Sequence, residues 1–241
     1  MSVLSIDEYS YTSSSLYFDY CVVGAGIAGL LVARRLAQGG KRVVVIESGS
    51  GIAADDTGSL NEIDDPARRY SRAMDGRHRG LGGPSSRWGG RMIPISAEET
   101  SARSYIDLPA WPFPVHELAR YEAEIEALFR VAAGSYEELP PRSDGTANAF
   151  PSDANSLTPR WAKCPSFTHC NLATLLDAEL RHSDAIQILL GATVCGFGVD
   201  RDAGRLTSLT ACNLGGAAQT VRAERFILAA GAIETTRLLL L

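Results

Sequence analysis

The order of apolar and polar positions between residues 18 and 47 predicts a strand, a helix and a second strand. An apolar run at 20–23 leads into a glycine turn at 24–29, and an alanine- and leucine-rich segment with helical spacing follows it. That segment stops at Gly39-Gly40, and a second apolar run at 43–46 ends on Glu47. Strand, glycine turn, helix, strand and acid follow one another in the order that a dinucleotide-binding fold requires.

The three glycines of the turn each have a physical role in such a fold. Gly24 allows the tight turn, Gly26 lets the backbone approach a pyrophosphate, and Gly29 lets the helix pack close to the strand. The pyrophosphate would bind free N–H groups at the positive end of the helix. Glu47 can accept hydrogen bonds from both ribose hydroxyls of an adenosine, and its charge would repel the 2′-phosphate of NADP. The motif leaves FAD and NAD open.

The remaining pattern predicts helices in the middle of the chain and strands in its last third. Residues 1–16 are polar and are predicted to form a flexible tail. The pattern predicts helices at 65–74, 115–131, 171–182 and 232–240. It predicts strands at 186–190, 193–199, 206–211, 219–223 and 225–230. We therefore divide the chain into a tail (1–16), a nucleotide-binding part (17–110), an excursion (111–165) and a second nucleotide-binding part (166–241).

Charge and cysteine content narrow the function. A net charge of −5 gives no reason to propose nucleic acid as a partner. Seven arginines nevertheless lie between residues 68 and 91, either as a solvated loop balanced by neighbouring acids or as a positive field around a phosphate-bearing cofactor. Charge alone favours the solvated loop.

The five cysteines show no disulfide framework, which favours a reducing compartment. Cys164, His169 and Cys170 fit no zinc spacing, so no metal is predicted. The first twenty residues lack the features of a secretory signal, and no apolar run is long enough to span a bilayer. These observations predict a soluble cytoplasmic protein with no membrane partner.

Four motifs together resemble one family. They are the turn at 24–29 with Glu47, a glycine-dense loop at 80–90, Trp111-Pro112 before a helix, and the segment Ala-Gly-Ala-Ile-Glu-Thr-Thr-Arg-Leu-Leu at 230–239. In this order they resemble the glucose–methanol–choline (GMC) flavoenzymes, particularly their bacterial, pyranose-oxidase-like branch. The resemblance implies an α/β fold: a Rossmann-like FAD-binding domain with a parallel sheet and helices on both faces, an added β-meander and the start of a substrate domain.

The resemblance implies FAD as the cofactor and assigns residues to it. Members that attach FAD covalently have a histidine where this chain has Arg87, so FAD is expected to be non-covalent. The backbone at Val194 would meet the adenine. The residues expected to bind the cofactor are Gly24, Ala25, Gly26, Ile27, Ala28, Gly29, Glu47, Ser48, Gly80, Gly82, Gly83, Ser85, Ser86, Arg87, Trp88, Gly89, Gly90, Val194, Ala230 and Gly231.

The implied reaction is oxidation of an alcohol or sugar CH–OH group by hydride transfer to flavin N5, with oxygen or another acceptor taking the electrons. Family members carry their catalytic histidine in a later segment, and none of His78, His116, His169 and His182 matches it. We therefore predict no catalytic residue in this chain and no alcohol turnover by residues 1–241 alone. Two alternatives stay open: a NAD-dependent dehydrogenase and a truncated, non-catalytic flavin-binding remnant.

Overall fold

A computed structural model describes residues 3–8, 17–51, 58–67, 69–70, 72–138, 144–146 and 159–241. The chain divides into two compact units. The first contains residues 1–88 and 171–241, and the second contains residues 89–170. The domain boundaries predicted near residues 110 and 165 stay predictions. No helix among the described residues is long and apolar enough to cross a membrane.

The first unit is built on one seven-stranded sheet. Its strands are β1 (Val3–Ser5), β2 (Tyr17–Val23), β3 (Val43–Ile46), β4 (Ile186–Leu190), β5 (Thr193–Asp200), β6 (Arg205–Cys212) and β7 (Ala218–Leu228), in the spatial order β1-β4-β3-β2-β7-β6-β5. The neighbouring pairs from β1 to β7 in that order are parallel, whereas β7–β6 and β6–β5 are antiparallel. This mostly parallel α/β sheet with a β5–β6–β7 meander confirms the predicted fold class.

Helix α1 (Ile27–Gln38) connects β2 to β3 and packs on the sheet through Gly29, Leu30 and Ala33. It ends because two glycines follow: the Gly39 N–H bonds to the Arg35 carbonyl, and Gly40 takes a φ of 74°. All four residues of β3 are buried, as expected for a strand inside a parallel sheet. The local pattern between residues 18 and 47 thus predicts these three elements correctly.

The other helices are α2 (Ala97–Thr100), α3 (His116–Ala119), α4 (Glu122–Phe129), α5 (Leu172–Leu175), α6 (Asp177–His182) and α7 (Ala232–Leu239). Two predicted helices are therefore each divided in two, at residues 120–121 and at Leu176. The predicted cap of α5 is confirmed, because the Asn171 side chain accepts a hydrogen bond from the Ala173 N–H. No helix forms in the described part of 65–74, where the chain makes turns instead.

Two further predictions are corrected at the sheet. Val3–Ser5, placed in the predicted flexible tail, pairs in parallel with Ile188–Leu190, and Ile6 next to it is buried. A strand edge at β4 offers unpaired backbone groups that this short segment satisfies. The runs at 219–223 and 225–230 join into the single strand β7, which borders β6 along its first half and β2 along most of its length.

A disulfide joins Cys195 in β5 to Cys212 in β6, which corrects the prediction that the cysteines form no disulfide. In the ladder Cys212 faces Thr193, and Cys195 lies at the register shift between Val194 and Gly196. Sequence spacing does not show this register. The argument for a reducing compartment, which needed every cysteine to be free, loses its support.

Alkylation of the denatured, unreduced protein should label Cys21, Cys164 and Cys170 and leave two cysteines unlabelled, because the disulfide joins Cys195 and Cys212. Mass spectrometry after reduction should then show two further labelled sites. In Cys195→Ser, Cys212 should be labelled without reduction. Five labelled cysteines in the unreduced wild-type protein would contradict the disulfide.

The second unit contains a buried ion pair. The Lys163 ammonium donates to Glu126 in α4 and to the Gly134 carbonyl at 2.8 Å, and it lies 3.9 Å from the centre of the Tyr136 ring. Both charged side chains are only about a tenth exposed. The Lys163 bond holds the pKa of Glu126 below its usual range, and burial together with Glu126 raises the pKa of Tyr136 to about 12. The pair ties residues 134 and 136 to α4.

Replacing Lys163 by Met should lower the free energy of unfolding by about 3 kcal/mol, because Glu126 is left buried without its partner. Because the folded-state pKa of Glu126 is lowered, the pair stabilises above the unfolded pKa of about 4.3 and loses that effect as pH falls through the folded value. Denaturant unfolding at neutral pH measures the loss. The chain's other lysine gives the control: Lys41 is exposed, and Lys41→Met should change stability by under about 0.5 kcal/mol. Equal effects of the two changes would contradict the role of the pair.

Candidate cofactor site

A cavity of about 1050 Å³ opens in the first unit at the carboxyl ends of parallel strands. Val23, Ile46 and Leu228, the last residues of β2, β3 and β7, line it, together with the starts of α1 and α7. Open parallel sheets bind ligands at this edge, outside the carboxyl ends of the strands. The volume lies at the upper end of the range for small-molecule and cofactor sites.

The start of α1 forms one wall of this cavity. Gly24 has a φ of 104°, and a Cβ on it would lie 2.6 Å from the Ala229 carbonyl oxygen. A Cβ on Gly29 would lie 1.9 Å from the Gly24 oxygen, so only glycine permits this packing. At Gly26, by contrast, a Cβ would meet no atom within 4 Å. The helix has no capping side chain and no acid in its first turn, so its positive end is suited to an anionic ligand.

Glu47 lies behind the glycine turn and is almost fully buried. Its carboxylate accepts hydrogen bonds from the N–H groups of Ala25 and Gly49, both at 2.8 Å, and of Gly80 at 3.0 Å. Burial raises the pKa of Glu47, and the three N–H donors and Arg79 act in the opposite direction. A carboxylate has about four acceptor positions, so about one is left for a ribose hydroxyl, whereas the sequence predicts bonds from both.

The second glycine loop rests directly on the first. The Gly82 N–H donates to the Ala25 carbonyl at 2.9 Å, and a Cβ on Gly83 would lie 2.9 Å from the Gly26 Cα. Both Gly82 and Gly83 have positive φ, at 92° and 53°. Gly83 begins a 3-10 helix, Gly83–Ser86. The backbone of Gly83 packs directly against the backbone of the glycine turn and leaves no room for a side chain between them.

The two serines of this loop hold the loop itself. The buried Ser85 hydroxyl donates to the Gly82 carbonyl at 2.6 Å and accepts from the Leu172 N–H at 3.1 Å, which joins the loop to α5. The Ser86 hydroxyl donates to the Gly83 carbonyl at 2.8 Å. The structure thus gives both side chains backbone partners, and their predicted contact with the cofactor stays a prediction.

The predicted site residues fall into three groups by position. Those that line the cavity are Gly24, Gly26, Ile27, Ala28, Glu47, Ser48, Gly83, Val194, Ala230 and Gly231. Those that lie behind the wall and contact it are Ala25, Gly29, Gly80, Gly82 and Ser85. Ser86, Arg87 and Trp88 are described residues of the first unit that do not line the cavity, and Gly89 and Gly90 belong to the second unit.

For the arginine-rich segment the sequence favoured a solvated loop over a positive field around a cofactor, but part of this segment forms a charged part of the wall. Arg77, His78 and Arg79 line the cavity, and the two arginines bond to Glu234 in the first turn of α7. The arginine-rich segment was visible in the sequence, but its predicted partners were neighbouring acids. Glu234 lies 157 residues from Arg77, and sequence spacing gives no indication of that pairing.

The glycine turn, the buried acid and the cavity at the sheet edge define a nucleotide-binding α/β protein. A family model described as "DAO: FAD dependent oxidoreductase" matches residues 19–240, and the chain belongs to this family. Its cofactor is FAD, so the alternative of a NAD-dependent dehydrogenase is wrong. No curated protein matches the chain in a sequence search.

Solved structures share this fold over about half of their own length. Pyridoxine 4-oxidase from Mesorbium loti is 17% identical, with a TM-score of 0.52 over 90% of this chain and 50% of that one. A formate oxidase is 15% identical, with a TM-score of 0.54 over 94% and 48%. A variant formate oxidase from Aspergillus oryzae is 16% identical, with a TM-score of 0.51 over 94% and 48%. At these identities the likeness concerns the fold.

Gly83→Ala should raise the dissociation constant of FAD about tenfold, since a left-handed non-glycine residue costs about 1–3 kcal/mol. The added Cβ would also press on Gly26, so the loop must move away from the glycine turn. Titration of apoprotein with FAD, followed by flavin fluorescence, measures the change. Gly58→Ala is the control, because a Cβ there meets no atom within 4 Å. Unchanged affinity in Gly83→Ala would show that FAD binding does not need this contact.

Proposed function

We propose that this protein is a GMC-type flavin oxidoreductase that oxidises the CH–OH group of an alcohol or sugar. The observation that supports it most directly is the convergence of three motifs on one cavity. Gly24 of the first turn, Gly83 of the second glycine loop and Gly231 before α7 all line it, although they are far apart in the sequence. The first motif alone indicates a nucleotide site. The order of all three motifs along the chain resembles that of the GMC flavoenzymes.

The solved neighbours support small-molecule oxidase chemistry. They are a pyridoxine 4-oxidase and formate oxidases, and this chain has their fold over about half of their length. The two named substrates differ in kind, so they do not specify the substrate here. The CH–OH class in our proposal comes from the motif order and from the family it resembles.

The proposed roles of the cavity residues follow from their chemistry. The N–H groups at the start of α1 would hold the diphosphate of FAD, because Gly26 leaves that end open. Glu47 would accept a ribose hydroxyl, and the backbone at Val194 would meet the adenine. Arg87 is exposed and offers no nucleophile, so we propose that FAD is bound non-covalently. When bound, FAD supplies the acceptor for a hydride from the substrate carbon.

We propose that the catalytic base lies outside residues 1–241. This chain spans about half the length of the solved neighbours. Of its four histidines, His78 lies in the cavity wall of the nucleotide site, and His116, His169 and His182 do not line that cavity. A small alcohol or sugar as substrate and oxygen or another acceptor as oxidant belong to the same proposal, and a cytoplasmic location stays a prediction from the sequence.

Purified residues 1–241 should carry FAD that heat or acid releases, and added alcohol should leave that flavin oxidised in the absence of oxygen. Our proposal places the base that takes the hydroxyl proton outside these residues. Reduction of the same sample by dithionite is the control for a competent flavin. Bleaching by an alcohol would place the base inside residues 1–241, and flavin that stays with the denatured chain would contradict non-covalent binding.

The substrate class is tested under the same anaerobic conditions with the complete product of the gene, which is called the full-length protein below. Alcohols or sugars should bleach the flavin, because our proposal assigns hydride donation to a CH–OH carbon. Amines, amino acids and NADH serve as matched donors of other classes. Bleaching by one of these, with none by any alcohol or sugar, would contradict the GMC proposal. A full-length protein that binds FAD and that no donor reduces would favour the non-catalytic alternative.

A further inference from the structure

Arg77 and Arg79 lie on one segment and both bond to the carboxylate of Glu234 in α7. Arg77 Nη2 and Arg79 Nη2 lie 2.6 and 2.9 Å from Glu234 Oε1, and Arg237 Nε lies 2.9 Å from Oε2. The side chains of Glu234, Arg77 and Arg79 are only 11%, 16% and 11% exposed, whereas that of Arg237 is 45% exposed. Burial favours the neutral acid, but the bonds and charges of Arg237 and Arg79 outweigh it, so the pKa of Glu234 lies below its ordinary value.

Each of the two arginines also donates to other partners. Arg79 donates to Asn61 Oδ1 and to Ser48 Oγ, both at 2.8 Å, and to the Leu60 carbonyl at 2.9 Å. Arg77 donates to the Asn61 carbonyl at 2.8 Å. A guanidinium with partners on several sides has one orientation, because its donors lie in a rigid plane. These bonds make Arg77 and Arg79 better suited to holding the wall together than to binding a ligand anion themselves.

The segment after Arg79 is the one that touches the glycine turn. The Gly80 N–H bonds to Glu47 at 3.0 Å, and the Gly82 N–H bonds to the Ala25 carbonyl at 2.9 Å. Residues 80–83 have few side chains with which to fix their own position. The last side chain before them that is anchored on several sides is Arg79, and its charged partner is Glu234.

We propose that Glu234 is a positioning residue for the FAD site: by holding Arg77 and Arg79, it fixes residues 80–83 against the glycine turn. The inference rests on FAD as the ligand of this cavity. It assigns Glu234 no contact with FAD and no part in the chemistry. Loss of the carboxylate would leave two guanidiniums in a cavity wall without their shared charged partner and let the loop move away from Ala25 and Glu47.

Two measurements on Glu234→Ala test this proposal. Hydrogen exchange of the Gly80 and Gly82 amides reports the position of the loop without reference to FAD, and it should become about tenfold faster or more while exchange in β3 stays unchanged. The dissociation constant of FAD should rise about tenfold or more, because breaking a buried ion pair is strongly destabilising. Glu234→Gln should give a smaller change of the same sign, because its amide keeps one acceptor oxygen.

Glu179→Gln is the matched control. Glu179 accepts from Arg34 Nε at 2.7 Å, which joins α6 to α1 within the same unit, and neither residue lines the cavity. This variant should leave both loop exchange and FAD affinity within about twofold of wild type, since exposed pairs contribute under about 1 kcal/mol.

Each outcome decides a separate point. Unchanged loop exchange in Glu234→Ala overturns the proposal, whether or not FAD binds. Faster loop exchange with unchanged FAD affinity overturns its link to the cofactor. A wild-type protein that fails to bind FAD would instead contradict the cofactor assignment, and the exchange data would still show whether Glu234 holds the loop.

Discussion

The buried carboxylate of Glu47 is the constraint on which the cofactor site depends. Its oxygens accept hydrogen bonds from three N–H groups: that of Ala25 in the glycine turn, that of Gly49 just after β3 and that of Gly80 in the second loop. Three segments thereby meet on one side chain that is almost out of contact with water. A buried carboxyl group is tolerated only where hydrogen-bond donors replace its hydration, so the backbone of all three segments must be in place around Glu47.

The cavity wall contains two buried acids that are stabilised by different means. Glu47 is held chiefly by neutral backbone dipoles, which leave its negative charge largely uncompensated, whereas Glu234 is held by three guanidiniums against its single charge. The first arrangement suits a neutral, hydroxyl-bearing group and disfavours a further phosphate beside Glu47. The second gives its part of the wall a surplus of positive charge. One nucleotide with a ribose and a diphosphate can satisfy both.

Patterns within short stretches of sequence predict the parts of this site that neighbouring residues form. They do not show the parts that depend on contacts between residues far apart in the sequence. β2, α1 and β3 follow from periodicity and from glycines whose roles are set within the turn. β1 has three residues and owes its place to an edge nearly two hundred residues later, so no window of sequence shows it. The same holds for the disulfide, which joins two paired strands, and for Glu234, whose partners Arg77 and Arg79 lie on another segment. The resemblance assigns Ser85 to the cofactor; its hydroxyl bonds to Gly82 and Leu172, which sequence does not show, and the cofactor contact stays a prediction.

Every described residue that lines the cavity belongs to the first unit. The free energy of binding the nucleotide can therefore come from one folded body, whatever the substrate. Proteins named for pyridoxine and for formate share this half of the fold at 15–17% identity, which shows that the fold does not fix the substrate. Selectivity then has to depend on groups that contact the substrate itself, and those groups can change without disturbing Glu47, Glu234 or the two glycine loops. The nucleotide site is held in place by its own hydrogen bonds and ion pairs. The groups that contact the substrate can therefore differ without changing how the nucleotide is bound.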